Sequence, residues 1–236
     1  DAEGSLESQL AHIKEAVDGG YDVILCNPVD TDTALQLQLA AGDLPIVFFN
    51  SCPSDDRLEA GKYVFVGSNE AEAGGYQAEY ILDKYKDQDE INVAILKGEK
   101  THSATVGRTN SLKKALNASG KKINYVFEDY ADWSTDTAKQ YFELLLKTGQ
   151  RVDAVACNND DMALGVYDYY KEKNLALPII LGINNSQEMN EKIMSGEIYG
   201  SVDNNMDNQV LRIVKCMESV LNGNTKKYKK VWYSTP

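Results

Sequence analysis

Short apolar runs alternate with helical periodicity from one end of this 236-residue chain to the other. That alternation restricts the fold more than any other feature. The runs at 22–26 (DVILC), 45–49 (PIVFF), 63–67 (YVFVG), 91–96 (INVAIL), 123–127 (INYVF), 152–157 (VDAVAC), 178–183 (PIILGI) and 198–202 (IYGSV) have the length and residue types of strands. Their near-continuous apolarity means that most are covered on both faces, which is the condition of a parallel sheet with crossover helices. Between them, Leu6, Leu10, Ile13 and Val17 recur at helical spacing and stop at Gly19-Gly20. Phe142, Leu145 and Leu146 do so before Gly149, and Val210, Ile213, Val214 and Met217 before Gly223. Each such helix offers one apolar stripe to a sheet. The expected class is α/β with doubly wound parallel sheets, and the length suits one large domain or two modest ones.

The predicted strands end alike. VILC runs into Asn27, IVFF into Asn50, VAIL into Lys97-Gly98-Glu99, YVF into Glu128-Asp129, AVAC into Asn158-Asn159, LGI into Asn184-Asn185 and GSV into Asp203-Asn204-Asn205. A single Asn at such a place is ordinary turn or cap chemistry. Repetition over seven ends points to a shared polar pocket, because open parallel sheets hold ligands outside the carboxyl ends of their strands. Neutral amides supply donors and acceptors together, which suits a polyhydroxylated neutral ligand better than an anion. The densest case is NNDDMALG, from Asn158 to Gly165. Asp160 or Asp161 is expected to cap the helix that opens at Met162, which leaves the two amides to be placed.

Composition narrows the partners. A formal net charge of −12 repels phosphate backbones and anionic lipid, so neither nucleic acid nor a membrane surface is expected as a partner. The basic stretch from Lys226 to Lys230 reads as a solvated rim. No apolar run approaches the roughly 20 residues that span a bilayer. Cys26, Cys52, Cys157 and Cys216 lack C-x-x-C or zinc-like spacing, and the acidic run 86–90 (KDQDE) lacks the glycine and distal Glu of a calcium loop, so no metal is expected. No G-x-G-x-x-G, P-loop or G-x-S-x-G occurs, and the chain carries two histidines. His12 falls on an amphipathic helix, while His102 follows a strand end and reads equally as ligand-facing or as loop. No catalytic residues or cofactors are predicted.

At PIVFFN, LKGEKTHSATVGRT, DWSTDTAK, NNDDMALG and GSVDNNMDNQ the chain resembles the type I periplasmic sugar-binding proteins, above all their galactose/glucose-binding branch. The resemblance runs from about Asp1 to Pro236. It implies two doubly wound lobes joined by three crossing segments with a sugar enclosed between them. The lobes would comprise 1–68 plus 204–229 and 69–203 plus 230–236, with crossings near Gly67-Ser68, Asp203-Asn204 and Lys230-Val231. The family's opening strand and helix have no counterpart before Leu6, so the first lobe is expected to lack that unit.

Carried over by motif, the sugar contacts would be Asn50, His102, Arg108, Trp133, Asn159, Asn184 and Asn204. Arg108 can fork two hydrogen bonds, amides bracket vicinal hydroxyls and an indole covers the apolar face of a pyranose, although core packing would explain Trp133 equally. The chain departs from the galactose/glucose-binding branch at Ala104 and Asn184, where an Asp is the rule. Each lost charged acceptor is worth roughly 1.5–3 kcal/mol, so the hexose is left open. The implied function is extracytoplasmic capture of a small neutral sugar or polyol, read by a membrane permease or sensor. A sensor domain of a signalling kinase, or the effector core of a lactose-repressor-type regulator, would use the same fold.

Overall fold

The apolar runs become parallel strands in a computed structural model that describes residues 1–223 and 229–236. The chain divides into two compact units. Residues 1–69, 101–103 and 205–235 form the first, and 70–100, 104–204 and Pro236 the second.

The first unit opens with α1 (Leu6–Asp18), whose leading N–H groups are met by Ser5 Oγ, 3.3 Å from the Ser8 nitrogen. The helix stops at Gly19-Gly20, where Gly20 takes a φ of 68° that other residues resist. Ile13 is buried, with Leu6 and Leu10 beside it. Then come β1 (Ile24–Cys26), α2 (Ala34–Ala41), β2 (Ile46–Phe49) and β3 (Tyr63–Ser68), with Ile24 opposite Ile46 and Ile46 opposite Tyr63.

The second unit strings together α3 (Glu70–Lys84), β4 (Glu90–Lys97), α4 (Ser103–Ala118), β5 (Lys122–Tyr130), α5 (Thr135–Lys147), β6 (Ala154–Cys157), α6 (Asp160–Glu172), β7 (Ile179–Ile183), α7 (Gln187–Met194) and β8 (Gly200–Val202). Its sheet runs β5-β4-β6-β7-β8 with every pair parallel. One face is covered by Phe142, Met162 and Val166, the other by Ile81, Leu112 and Leu116. That double cover is what the unbroken apolar strands required. Residues 86–90 are exposed, as a solvated turn should be.

The chain then returns through α8 (Met206–Leu221) to β9 (Val231–Ser234) in the first unit. Two expectations need correction here. The resemblance assigns residues 101–103 and 230–236 to the second lobe, whereas 101–103 and 230–235 belong to the first unit, and the patterning predicts no strand in 230–236. Instead β9 pairs in parallel with β3, Phe65 opposite Val231 and Ser68 opposite Ser234, to complete a sheet ordered β1-β2-β3-β9. The short VWYS run gains its ladder from β3, and Trp232 packs with Val64 and Val66, a non-local reward that local patterning does not reveal. The expected stripe of α8 is also rotated. Ile213, Cys216, Met217 and Val220 meet the sheet, while Val210 and Val214 are exposed. Lys226–Tyr228 of the basic stretch lie outside the described residues; Lys229 and Lys230 are exposed, and Lys230 Nζ lies 3.3 Å from Asp55 Oδ2.

Close helix packing depends on particular glycines. A Cβ on Gly165 of α6 would fall 2.2 Å from the Thr135 carbonyl oxygen at the start of α5, whereas a Cβ on Gly75 of α3 meets nothing within 4 Å. Gly165→Ala should therefore lower stability by about 1–3 kcal/mol through overpacking, and Gly75→Ala should raise it by up to about 1 kcal/mol through helix propensity. Chemical denaturation of the two variants checks both signs.

Candidate functional site

Since both sheets are parallel, all the carboxyl ends of each fall along one edge, and the polar residues noted in the sequence collect there. In the second unit the Asn158-Asn159 pair follows β6. The helix cap is Asn159, not Asp160 or Asp161: its Oδ1 accepts from the Met162 N–H at 3.0 Å. Asn is as good a cap as Asp, and here it occupies the last extended residue, whose φ is −144°. Its Nδ2 donates to the Trp133 carbonyl oxygen at 3.3 Å and to Asp161 Oδ2 at 3.1 Å.

Asn158 is buried. Its Oδ1 accepts from the Gly98 N–H and from Thr109 Oγ1, each at 3.2 Å, which ties the end of β4 to α4 and β6. Its carbonyl oxygen accepts from Arg108 Nη1 at 2.5 Å. Arg108 itself is 4% exposed, and its Nε donates to Glu70 Oε2. The expectation of a fork held open for ligand oxygens is thus modified by an internal carboxylate, although a guanidinium has five N–H donors, more than these two contacts use.

Trp133 follows Asp132 in a left-handed turn, with φ values of 64° and 49°, just before Ser134 caps α5. Its indole stands against the bare Cα of Gly98: a Cβ there would lie 2.1 Å from Cη2 and Cζ2. The ring also packs on the core around Phe142 and Met162, so the core reading of Trp133 holds in part. Gly98, Arg108, Trp133, Asn158 and Asn159 thus form one bonded group.

Asn184 and Asn204 form a second group. Asn184, at φ 131°, donates its backbone N–H to the Val202 carbonyl at 2.9 Å, and its Oδ1 lies 3.4 Å from Asn204 Nδ2. Asp160 underlies this loop. Its buried carboxylate accepts from Ser201 Oγ and from the Ser186 N–H, both at 2.6 Å, and Ser201 Oγ in turn accepts from the Asn185 N–H. Burial pushes the Asp160 carboxyl pKa up, and the bonds from Ser201 and Ser186 oppose that rise. The surplus acids of NNDDMALG therefore include a scaffold for the next strand end, which sequence spacing did not reveal.

In the first unit, Asn50 is exposed with φ 62°, and its Nδ2 lies 3.4 Å from Asn27 Oδ1. His102 sits between Thr101, whose carbonyl accepts from Thr31 Oγ1 at 3.2 Å, and Ser103, whose Oγ accepts from the Cys52 N–H at 2.8 Å. Both of these neighbours count with the first unit. Sequence reasoning missed Glu70, Asp160, Thr109 and the close approach at Gly98; only the surplus of polar residues in NNDDMALG signalled part of this.

The thiols are held in the neutral form. Burial pushes the Cys26 and Cys216 thiols up to about 11 and Cys52 to about 12, far from the thiolate range. Among the described residues there is no cluster of three or more His, Cys, Asp or Glu side chains that could hold a metal, and no helix long and apolar enough to cross a membrane.

Comparison with known proteins places the fold. A D-galactose/methyl-galactoside binding periplasmic protein of Haemophilus influenzae is 26% identical over 94% of this chain and 71% of its own length. A D-ribose/D-allose-binding protein of Pseudomonas aeruginosa is 24% identical over 97% of this chain and 72% of its own. An ABC transporter solute binding protein from Bacillus halodurans, solved with bound myo-inositol, matches with a TM-score of 0.86 at 26% identity, over 100% of this chain and 80% of that one. The family described as periplasmic binding protein domain matches residues 1–225. Two all-parallel α/β units with amides at their strand ends, matched over nearly their whole length, place this chain in the family of type I periplasmic sugar-binding proteins.

Proposed function

We propose that the protein captures a small neutral sugar or polyol at the carboxyl ends of its strands, without chemical change, for uptake through an ABC permease or for reading by a sensor outside the cytoplasm. The candidate contacts are Arg108, Trp133, Asn159, Asn184 and Asn204 in the second unit; in the first unit they are Asn50 and His102. The observation that carries this reading is the bonded group at the ends of β4 and β6. There a guanidinium, an indole and two amides are held by one another and by backbone, so few side-chain rotamers remain to be ordered on binding.

The chemistry divides by residue. Arg108 and the amides satisfy hydroxyl groups, and the Trp133 face covers ring C–H bonds. Ala104, buried near the start of α4, offers no acceptor where the galactose/glucose-binding branch has an acid. The amide of Asn184 offers one without charge. Both features favour a ligand recognised by neutral hydrogen bonds. Solute capture of this kind needs no nucleophile.

A thermal-shift and calorimetric series with galactose, glucose, ribose, allose and myo-inositol tests the reading. One of them at a hundredfold its Kd should add about 2.7 kcal/mol of stability, and failure of every monosaccharide and cyclitol to bind would overturn it. Trp133→Ala should weaken the bound sugar about tenfold, the worth of one stacked ring. Gly98→Ala should weaken it in the same direction, because the new methyl displaces the indole, and calorimetry on folded protein measures both.

A further inference from the structure

We infer that Glu70 determines the charge class of the ligand: by pairing with Arg108 it turns a cationic receptor into a net-neutral donor, so the site takes hydroxyl groups and turns away sugars that carry a carboxylate or phosphate. The inference rests on the reading of Arg108 as a ligand contact.

Left to itself, a buried guanidinium is a two-pronged receptor for carboxylate and phosphate, and an uncompensated one is costly to bury. Arg108 is buried but not left to itself. Its side chain is 5% exposed and that of Glu70 17%, so solvent screens the pair little. Glu70 takes Nε and the Asn158 carbonyl takes Nη1, which fixes the plane of the guanidinium as well as its charge.

The pairing is built into the backbone. Glu70 is the first residue of α3, where the helix dipole favours a negative side chain. Across from it, a Cβ on Gly107 of α4 would lie 2.7 Å from Glu70 Cβ. One turn further along α3, a Cβ on Gly74 would lie 2.1 Å from the Arg108 carbonyl oxygen and 2.2 Å from Ser111 Oγ. Two glycines, one on each helix, let α3 and α4 approach closely enough for acid and base to meet. A ligand carboxylate arriving at Arg108 would have to compete with an acid already in contact, at the cost of two like charges on one cation. A hydroxyl faces no such competition.

The test compares wild type with Glu70→Gln and Glu70→Asp, by calorimetry, on sugars that differ only in charge: galactose against galacturonate and glucose against glucuronate. Wild type should prefer the neutral member of each pair. Glu70→Gln should move the neutral-to-acid affinity ratio towards the uronate by about tenfold or more, the scale of one little-screened charge. Glu70→Asp keeps the charge but draws it back by one methylene, so it should shift the ratio the same way by less; it stands in if the Gln variant does not fold. A ratio unchanged in folded variants of a sugar-binding wild type overturns the role of Glu70 and leaves the sugar reading intact. A wild type that binds neither these neutral sugars nor ribose, allose or myo-inositol overturns the sugar reading. In that event, uronate binding gained only by Glu70→Gln supports the role of Glu70, and its absence overturns that role too.

Discussion

Parallel pairing of every strand is the constraint on which the rest of this structure depends. A parallel ladder needs a crossover for each added strand; in the second unit these crossovers are helices that cover both faces of the sheet, whereas in the first β2 passes to β3 through a loop with only a 3₁₀ turn at Asp55–Arg57. The central strands β2, β3, β4, β6 and β7 are therefore largely buried and mostly apolar, while the edge strand β5 is half-exposed and carries Asn124 and Glu128. Chemistry is displaced to the ends. Since all strands of a sheet point the same way, their carboxyl ends share one edge, and Asn27 with Asn50, or Asn158 with Asn184 and Asn204, become neighbours of a kind despite their distance in sequence.

At that edge the second unit meets a burial problem and answers most of it, leaving the buried Asn158 Nδ2 without a protein partner. A cation, a carboxylate and several amides are withdrawn from water, and each must find a partner or cost several kcal/mol. Asn158 serves as the hub: its side-chain oxygen holds Gly98 and Thr109, and its carbonyl holds Arg108. Asp160 does the same for the following loop through Ser186 and Ser201. Bonds of this type weigh more inside a protein than at its surface. They also leave Trp133, Arg108 and Asn159 with little conformational freedom, which is the state the proposed site would need before a ligand arrives. Close approaches at Gly98, Gly107 and Gly74 allow this density, and an alanine at any of them would force the neighbours apart.

Much of this was legible in the chain alone, and the gaps have physical causes. Eight strands and the class of fold follow from runs such as VAIL and IILGI, because continuous apolarity over a strand's length fits burial on both faces. The Asn-Asn pair was recognised as excess, but its division of labour was not. Capping needed only one side chain with an oxygen in the right place, and Asn159 stood one residue nearer to it than Asp160. The ninth strand carries no local signal, because VWYS is short and partly exposed and its partner β3 lies more than 160 residues away. The stripe of α8 is ambiguous in the sequence because Val210 and Val214 share the periodicity of Ile213 and Met217, and periodicity gives the width of an apolar face but not its direction.

By itself, then, the order of residues determined the alternation of strand and helix, the parallel class and the polar chemistry of the strand ends. These follow from local periodicity and from the side-chain types a doubly covered sheet tolerates. Only the tertiary structure decided that Asn159 caps α6, that Asp160 braces the loop after β7, that β9 joins the first sheet and that Glu70 lies on Arg108. Each of those is a contact between residues distant in sequence or a choice among chemically similar neighbours. Packing settles such choices, because it alone brings the competing partners within reach of one hydrogen bond.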